Sequence, residues 1–472
     1  MATSHRRSKR PDDHQYVWSE ITVRSCQRED AIFTKWDRVR DEIVKRIDLK
    51  YVSTNGCYRV GRRGNTQKGR PTIFIFGNHA KYSKSSQPAR SIIADILKKH
   101  KVAEVEVKFL EGHFHRHASD PDSEEDEPKP KRDTVECGGV FHPDVVRLPS
   151  MPGQSLALKE NASASGTFGG FFEVTLPGTP EPKIMGITCF HVINPTEEGK
   201  SDQAKLVIRK WREEGIKPND PMAKHLKVDH PSRRVVQEKI RALEKEVADI
   251  QNPTYMLWDG LVTNDQDLGK GAKMMYETAK QQLLDCRSSI QEIKVFNPGF
   301  GKVWAASGFR TGQAPSIDNG KNCLPTNYDW ALIEIPRERV GRNITPDGHV
   351  LNRSPLPKSF QNLKLCITGQ RSGYSEGYYN SLKEAEVEHS LIDGTVVAVT
   401  TTEHSVIARE SDTFFGRSGD SGSLVYTNDS HVVVGLFFAG RPRPPCSASF
   451  THIDDLIHNI KNTTGATRVR LL

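Results

Sequence analysis

From about residue 140 the chain is written in short apolar runs broken by Gly and Pro: SGTFGGFFEVTLPG, KIMGITCFHVI, GKVWAASGFRTG, YDWALIEIP, LKLCITGQ, GTVVAVTTTE, GSLVYTND and HVVVGLFFAG. Each run has strand length and turn residues part it from the next, so a mainly β barrel or sandwich is predicted. A different period interrupts them. In 231–250, Val236, Ile240, Leu243, Val247 and Ile250 recur at steps of four and three, and in 271–293 Ala272, Tyr276, Ala279, Leu283, Cys286, Ile290 and Ile293 do the same. Such spacing gives each helix one apolar seam, and the two seams are expected to cover each other in an inserted antiparallel helical hairpin of coiled-coil type. The stretch between them, with Asn252-Pro253 and Asp259-Gly260, reads as a connection. Packing of seam on seam accounts for the pattern, and pairing with a second copy is the further use it allows.

The front of the chain mixes periods. RPTIFIFG and VAEVEVKFLEG read as strands on either side of SSQPARSIIADILKKHK, a helix that Ser85 or Ser86 can cap and whose stripe is Ile92, Ile93, Ile96 and Leu97. A small α+β domain is predicted over 15–112, behind a disordered basic tail at 1–14. Residues 113–138 are acidic and Pro-containing with little to bury, which predicts a disordered linker. The barrel domain then occupies 139–195 and 296–472, with 196–295 as the helical insertion.

Charge changes this picture only at the front. The net charge of the 472 residues is +8, but 1–110 hold 24 Lys and Arg against 12 Asp and Glu, while 111–136 hold 4 against 9. Attraction to an acidic partner would therefore act through the first segment. A solvated basic face is the simplest account. A regulatory protein partner on 15–112 or on the helical hairpin is the alternative, and nucleic acid has no accompanying motif. No run of eighteen apolar residues occurs, and MATSHRRSKRPDDHQ lacks the apolar core of a secretory signal, so an intracellular protein, cytoplasmic or nuclear, with no membrane contact is expected. The eight cysteines have no CxxC pair and no metal-ligand spacing, which points to reduced thiols with no metal and no cofactor.

The chemistry gathers in three of the β runs. SGDSGSLVY sets Ser421 between two glycines just before a strand, GITCFHVI ends an apolar run on His191, and NYDWALIEI opens an alternating strand with Asp329. A serine hydroxyl is a poor nucleophile near neutral pH and needs an imidazole to take its proton and a carboxylate to orient that imidazole. Taken singly, GDSGS is a plausible β-turn and a strand-end histidine is ordinary. Together, Thr188–Val192, Asp329–Ile333 and Gly419–Ser423 resemble the histidine, aspartate and nucleophile motifs of chymotrypsin-like serine peptidases, in that family's order.

The resemblance implies a trypsin-like double six-stranded β-barrel and serine endopeptidase activity on a protein or peptide substrate. In that reading Ser421 attacks, His191 moves the proton, Asp329 holds the imidazole, and the Gly419 and Ser421 N–H groups form the oxyanion hole. HVVVGLFFAG resembles the strand that aligns a substrate backbone, with Phe438, Ala439 and Gly440 meeting it. Phe415, six before the serine, stands at the floor of the primary pocket, where it disfavours Lys or Arg and suits a small or apolar side chain. CSASFTHIDDLIHNIKNTTG resembles the last strand and closing helix, and the likeness covers about 140–465 apart from the insertion.

Two departures matter. Val192 and Arg417 stand where secreted members carry disulfide cysteines, as a reducing compartment permits. No activation-type amino terminus precedes the barrel, so Asp420 must find another partner, a local backbone amide or Arg417. The competing reading is a catalytically silent trypsin-fold module that binds or signals, with its basic front segment as the contact. An intact set of three residues argues against it, because a binding module does not need all three.

Overall fold

The computed structural model describes residues 20–63, 69–78, 86–112, 115–116, 146, 148–161, 164–313, 324–353, 355–392, 395–410, 413–441 and 446–472. The expected tail at 1–14 and all but two residues of the expected 113–138 linker that precede the barrel fall outside them.

Strands dominate, and among the described residues they form two large sheets. One runs in the order Arg468–Leu471, Gly170–Thr175, Lys183–Thr188, Ala331–Glu334, Gly299–Ala306, Lys227–Asp229, Ser155–Leu158, Gly166–Thr167. Buried residues from both its faces, including Phe171, Phe172, Met185, Ile187, Val303 and Ile333, belong to one apolar cluster with the buried stripe of the closing helix Ile453–Thr464 (Ile453, Leu456, Ile457 and Ile460). Lys227–Asp229 comes from the middle of the stretch expected to be an insertion, yet it pairs with Gly299–Ala306 and with Ser155–Leu158.

The helices of that insertion follow their seams. Arg233–Ile250 and Lys270–Val295 pack with every seam residue named above in two apolar clusters. Between them the chain does not simply connect. Asn252 accepts hydrogen bonds from Thr254 N–H and Tyr255 N–H, Pro253 follows as first helical residue, and a third helix covers Pro253–Thr263. An Asn-Pro pair reads as a turn, but Asn before Pro is also how a helix begins.

The second sheet departs most from expectation. Its path is Lys364–Gly369, Leu424–Thr427, Val433–Gly440, Ser447–His452, Thr395–Ala408, Gly373–Ile392, and then Val52–Arg62, Arg70–Gly77 and Glu106–Glu111 of the front segment. The double six-stranded barrel and a separate front domain are not confirmed: among the described residues the front strands continue the second sheet. The hairpin of Gly373–Ile392 and Thr395–Ala408 is long and needs a partner for its free edge, which Val52–Arg62 supplies through Thr54 opposite Glu386 and Asn55 opposite Ala385.

Side chains weld the junction. The Arg441 guanidinium donates to the Glu384 carboxylate at 3.0 Å and to the Tyr58 hydroxyl at 2.8 Å, all three buried, and lies 3.8 Å from the centre of the Phe76 ring. Trp36, from the front helix Trp36–Arg46, donates its indole N–H to the Lys383 carbonyl at 2.7 Å. A buried ion pair adds little net stability, but it fixes which surfaces meet. Among the described residues no helix is long and apolar enough to cross a membrane.

One core histidine makes a measurable statement about folding. His230 is buried, stacked on Phe300 at 4.9 Å and edge-on to Phe168. Burial, with Arg339 nearby, pulls its pKa down to about 3. The unfolded chain takes up a proton there below about pH 6.5 that the folded chain refuses, so stability falls as pH drops from about 6.5 towards 3. His230→Phe removes that contribution, and its unfolding free energy from urea titration is expected to fall less with acid than wild type's, by up to about 1.4 kcal/mol per pH unit. Parallel slopes for the two proteins across pH 7 to 4 contradict this.

Candidate catalytic site

Register brings the first two residues together. Ala331 pairs with Thr188 across adjacent strands, so the residues just before Ala331 lie beside those just after Thr188. The chain turns into a short helix, Phe190–Ile193, and there the His191 backbone N–H donates to Asp329 Oδ1 at 3.0 Å while its Nδ1–H donates to Oδ2 at 2.6 Å. Both side chains are almost wholly buried, at 6% and 0% exposure. The other ring nitrogen, Nε2, is buried with no hydrogen-bond partner.

The serine turn is tied to the same backbone. Cys189 Sγ and the Gly422 N–H both bond the Phe437 carbonyl, at 3.2 and 2.9 Å, so the residue after Ser421 and the residue two before His191 share one acceptor. The Val192 side chain and the Ser421 carbonyl also crowd Gly166, where an added Cβ would meet them at 2.3 to 3.0 Å. Thr167 staples the turn from outside: its N–H donates to the Ser421 carbonyl and its hydroxyl to the Gly419 carbonyl. The Ser421 hydroxyl itself donates to the Phe438 carbonyl at 3.1 Å and not to the imidazole.

Gly419 has φ +97°, a conformation open to glycine, and a Cβ there would come within 2.5 Å of Gln370 Nε2. Asp420, Gly422 and Ser423 each donate their N–H to a backbone carbonyl; among the described residues the Gly419 and Ser421 N–H groups have no such acceptor. Two free N–H groups flanking a serine can receive an anionic oxygen.

Asp420 does find local partners. Its buried carboxylate accepts from the Arg371 N–H at 2.8 Å, the Ser372 N–H at 3.1 Å, the Ser372 hydroxyl at 2.5 Å and the Arg417 N–H at 2.8 Å. The Arg417 contact is through backbone, so the guanidinium is not needed for it. Arg371 and Ser372 sit in GQRSG, a Gly-flanked turn with no chemical signature, and reading the sequence does not single them out.

The expected substrate-binding residues are placed unevenly. Ala439 and Gly440 lie at the end of Val433–Gly440, and Phe438 presents its carbonyl to Ser421 while its ring is buried in the first core. Phe415 is buried against Phe437 among Leu365, Ile367, Tyr379 and Val406. Donor atoms of Cys189, His191 and Asp329 lie within 4.8 Å of one another, the spacing of a cation site. Hydrogen bonds already engage them, since both Asp329 oxygens bond His191 and the thiol bonds the Phe437 carbonyl.

No family model and no curated protein matches the chain. Among solved structures it is similar to a glutamic acid-specific serine protease that uses a histidine triad in substrate binding, with 9% identity and TM-score 0.31 over 66% of this chain and 96% of that one. It is similar also to Thermobifida fusca Protease A, at 10% identity and TM-score 0.30 over 68% of this chain and 99% of that one. A third is Cellulomonas bogoriensis chymotrypsin, at 12% identity and TM-score 0.22 over 36% of this chain and 85% of that one.

Proposed function

We propose that the chain is a serine endopeptidase in which Ser421 is the nucleophile, His191 the general base and then acid, and Asp329 the group that orients the imidazole. One observation carries this reading: Asp329 accepts from the backbone N–H and the Nδ1 side of His191 and leaves Nε2 buried and without a partner. A buried basic nitrogen with nothing to accept from is costly unless a proton donor visits it. In this reading the Ser421 hydroxyl, which at rest donates to the Phe438 carbonyl, turns to Nε2 when a substrate enters.

In that cycle Ser421 Oγ adds to the scissile carbonyl as Nε2 accepts its proton, and the Gly419 and Ser421 N–H groups receive the oxygen that becomes negative. The same proton then leaves with the amine, and water releases the acyl group. The six described cysteines are buried free thiols, which suits a reducing compartment. A silent binding module is the competing reading, and the resting Ser421 to Phe438 bond is what favours it.

A fluorophosphonate probe decides between them, because only an activated serine reacts. Wild type is expected to label at Ser421, and Ser421→Ala to lose the label while keeping its unfolding midpoint. A folded wild type that takes up no label overturns the peptidase reading.

A further inference from the structure

Both sides of the strand that runs past the nucleophile are taken at its far end. On one side of Val433–Gly440, Ser447–His452 pairs Ser449 with Ala439 and Ala448 with Gly440. On the other, Leu424–Thr427 pairs only as far as Leu436, opposite Leu424. The rest of that second side is not open, because His115–Arg116 lies antiparallel on it, with His115 opposite Gly440 and Arg116 opposite Ala439. A strand has two edges, so Ala439 and Gly440 have none left to offer, and both are buried. The peptidase reading gives these two residues to the backbone of a bound peptide, which would add to the sheet by ladder bonds. The chain already holds a strand of its own where a substrate must supply one.

That strand is delivered from a fixed anchor. Gly112, just ahead of it in the chain, donates its N–H to the Gly77 carbonyl at 3.2 Å and accepts the Ser53 hydroxyl at 2.9 Å. Gly77 and Ser53 belong to Arg70–Gly77 and Val52–Arg62, which pair with each other and, through Val52–Arg62, with Gly373–Ile392. A strand tethered so closely meets its edge at an effective concentration that a dilute peptide does not match.

We propose that His115–Arg116 is an inhibitor in cis: it competes with peptide substrates for the Ala439–Gly440 edge and leaves the catalytic groups intact, a conclusion that rests on the peptidase reading above. A peptide binds only in molecules whose own strand has left, so its apparent affinity falls by the fraction of molecules that are open. A reagent that reacts with Ser421 without adding to the sheet escapes this loss. Two paired residues make a short ladder, which leaves the edge open in roughly one molecule in ten to one in a hundred. Inhibition of this kind is partial, and displacing the front segment relieves it.

The test compares the purified full chain with the double variant His115→Pro, Arg116→Pro, which removes both backbone donors of the strand. Two kinds of reagent are used: a fluorophosphonate, and tetrapeptide diphenyl phosphonates ending in alanine, leucine or phenylalanine, whose peptide must pair with the edge. The double variant is expected to take up a peptidyl reagent about tenfold or more faster than wild type, while its fluorophosphonate rate stays within about threefold and its unfolding midpoint is unchanged. The ratio should be the same after about hundredfold dilution, as a contact within one chain requires. Arg116→Pro alone, with one donor removed, should give a smaller gain in the same direction, and it carries the comparison if the double variant does not fold. Peptidyl reagents that label both proteins alike or neither, or an acceleration shared equally by the fluorophosphonate, overturn the proposal and leave the peptidase reading standing on the fluorophosphonate label. Proteins that fluorophosphonate does not label at all take both down.

Discussion

Asp329→Asn is expected to slow reaction at Ser421 by about 10⁴-fold with little loss of stability. The carboxylate does two different things. Oδ1 accepts the His191 backbone N–H at 3.0 Å, and Oδ2 accepts Nδ1–H at 2.6 Å. An isosteric amide keeps its oxygen on the backbone N–H and turns its NH₂ group towards Nδ1, which must then become an acceptor. The imidazole proton moves to Nε2, the atom proposed to take a proton from serine, and the proposed general base is lost. Because one of the two hydrogen bonds survives and the other only reverses direction, the unfolding midpoint should move little. The check is the pseudo-first-order rate of fluorophosphonate labelling beside thermal unfolding of the same samples. A variant that labels within about tenfold of wild type shows that His191 does not depend on Asp329 for its tautomer, and the proposed roles fail.

Much of this site can be read from the sequence because strand periodicity and sequence-local motifs encode it. GITCFHVI and NYDWALIEI are alternating or buried runs whose ends deliver one polar side chain each, and adjacent strands do the rest once Ala331 pairs with Thr188. The helical seams are equally legible, since heptad spacing is a purely local signal: all twelve seam residues pack where the spacing puts them. What local reading cannot supply is long-range pairing. Val52–Arg62 carries no mark saying that its partner is Gly373–Ile392, and His115–Arg116 is too short and too polar to read as a strand at all. The front segment shows why: its local periods suggest strands and a helix, while the sheet its strands continue is set by an edge over three hundred residues away. The supports of Asp420 are hidden in the same way, because three of its four donors are backbone N–H groups and any residue can supply one.

Those supports carry the second large effect. Asp420→Ala is expected to cost about 3–5 kcal/mol of stability and to reduce labelling of Ser421 by more than unfolding explains. The carboxylate is completely buried and collects two bonds from the Arg371–Ser372 backbone, one from the Ser372 hydroxyl and one from the Arg417 N–H. It thereby clamps the turn that carries Gly419 and Ser421 to the loop after Lys364–Gly369. Gly369 is packed so closely on it that an added Cβ would meet Oδ1 at 2.3 Å. Alanine removes the acceptor of all four donors and loosens the turn that carries the Gly419 and Ser421 N–H groups, the proposed oxyanion donors. Loss of one such donor is worth about 10²–10³ in rate. Asp420→Asn separates the two effects. Its oxygen can still satisfy the Arg371–Ser372 pair, but its NH₂ group faces the Arg417 N–H, donor against donor. Stability should therefore rank wild type above Asn above Ala in urea unfolding, and labelling rates, corrected for the folded fraction, should follow the same order. If the folded Ala variant labels as fast as wild type, the turn does not need its clamp, and the Gly419 and Ser421 amides are not what stabilises the reacting oxygen.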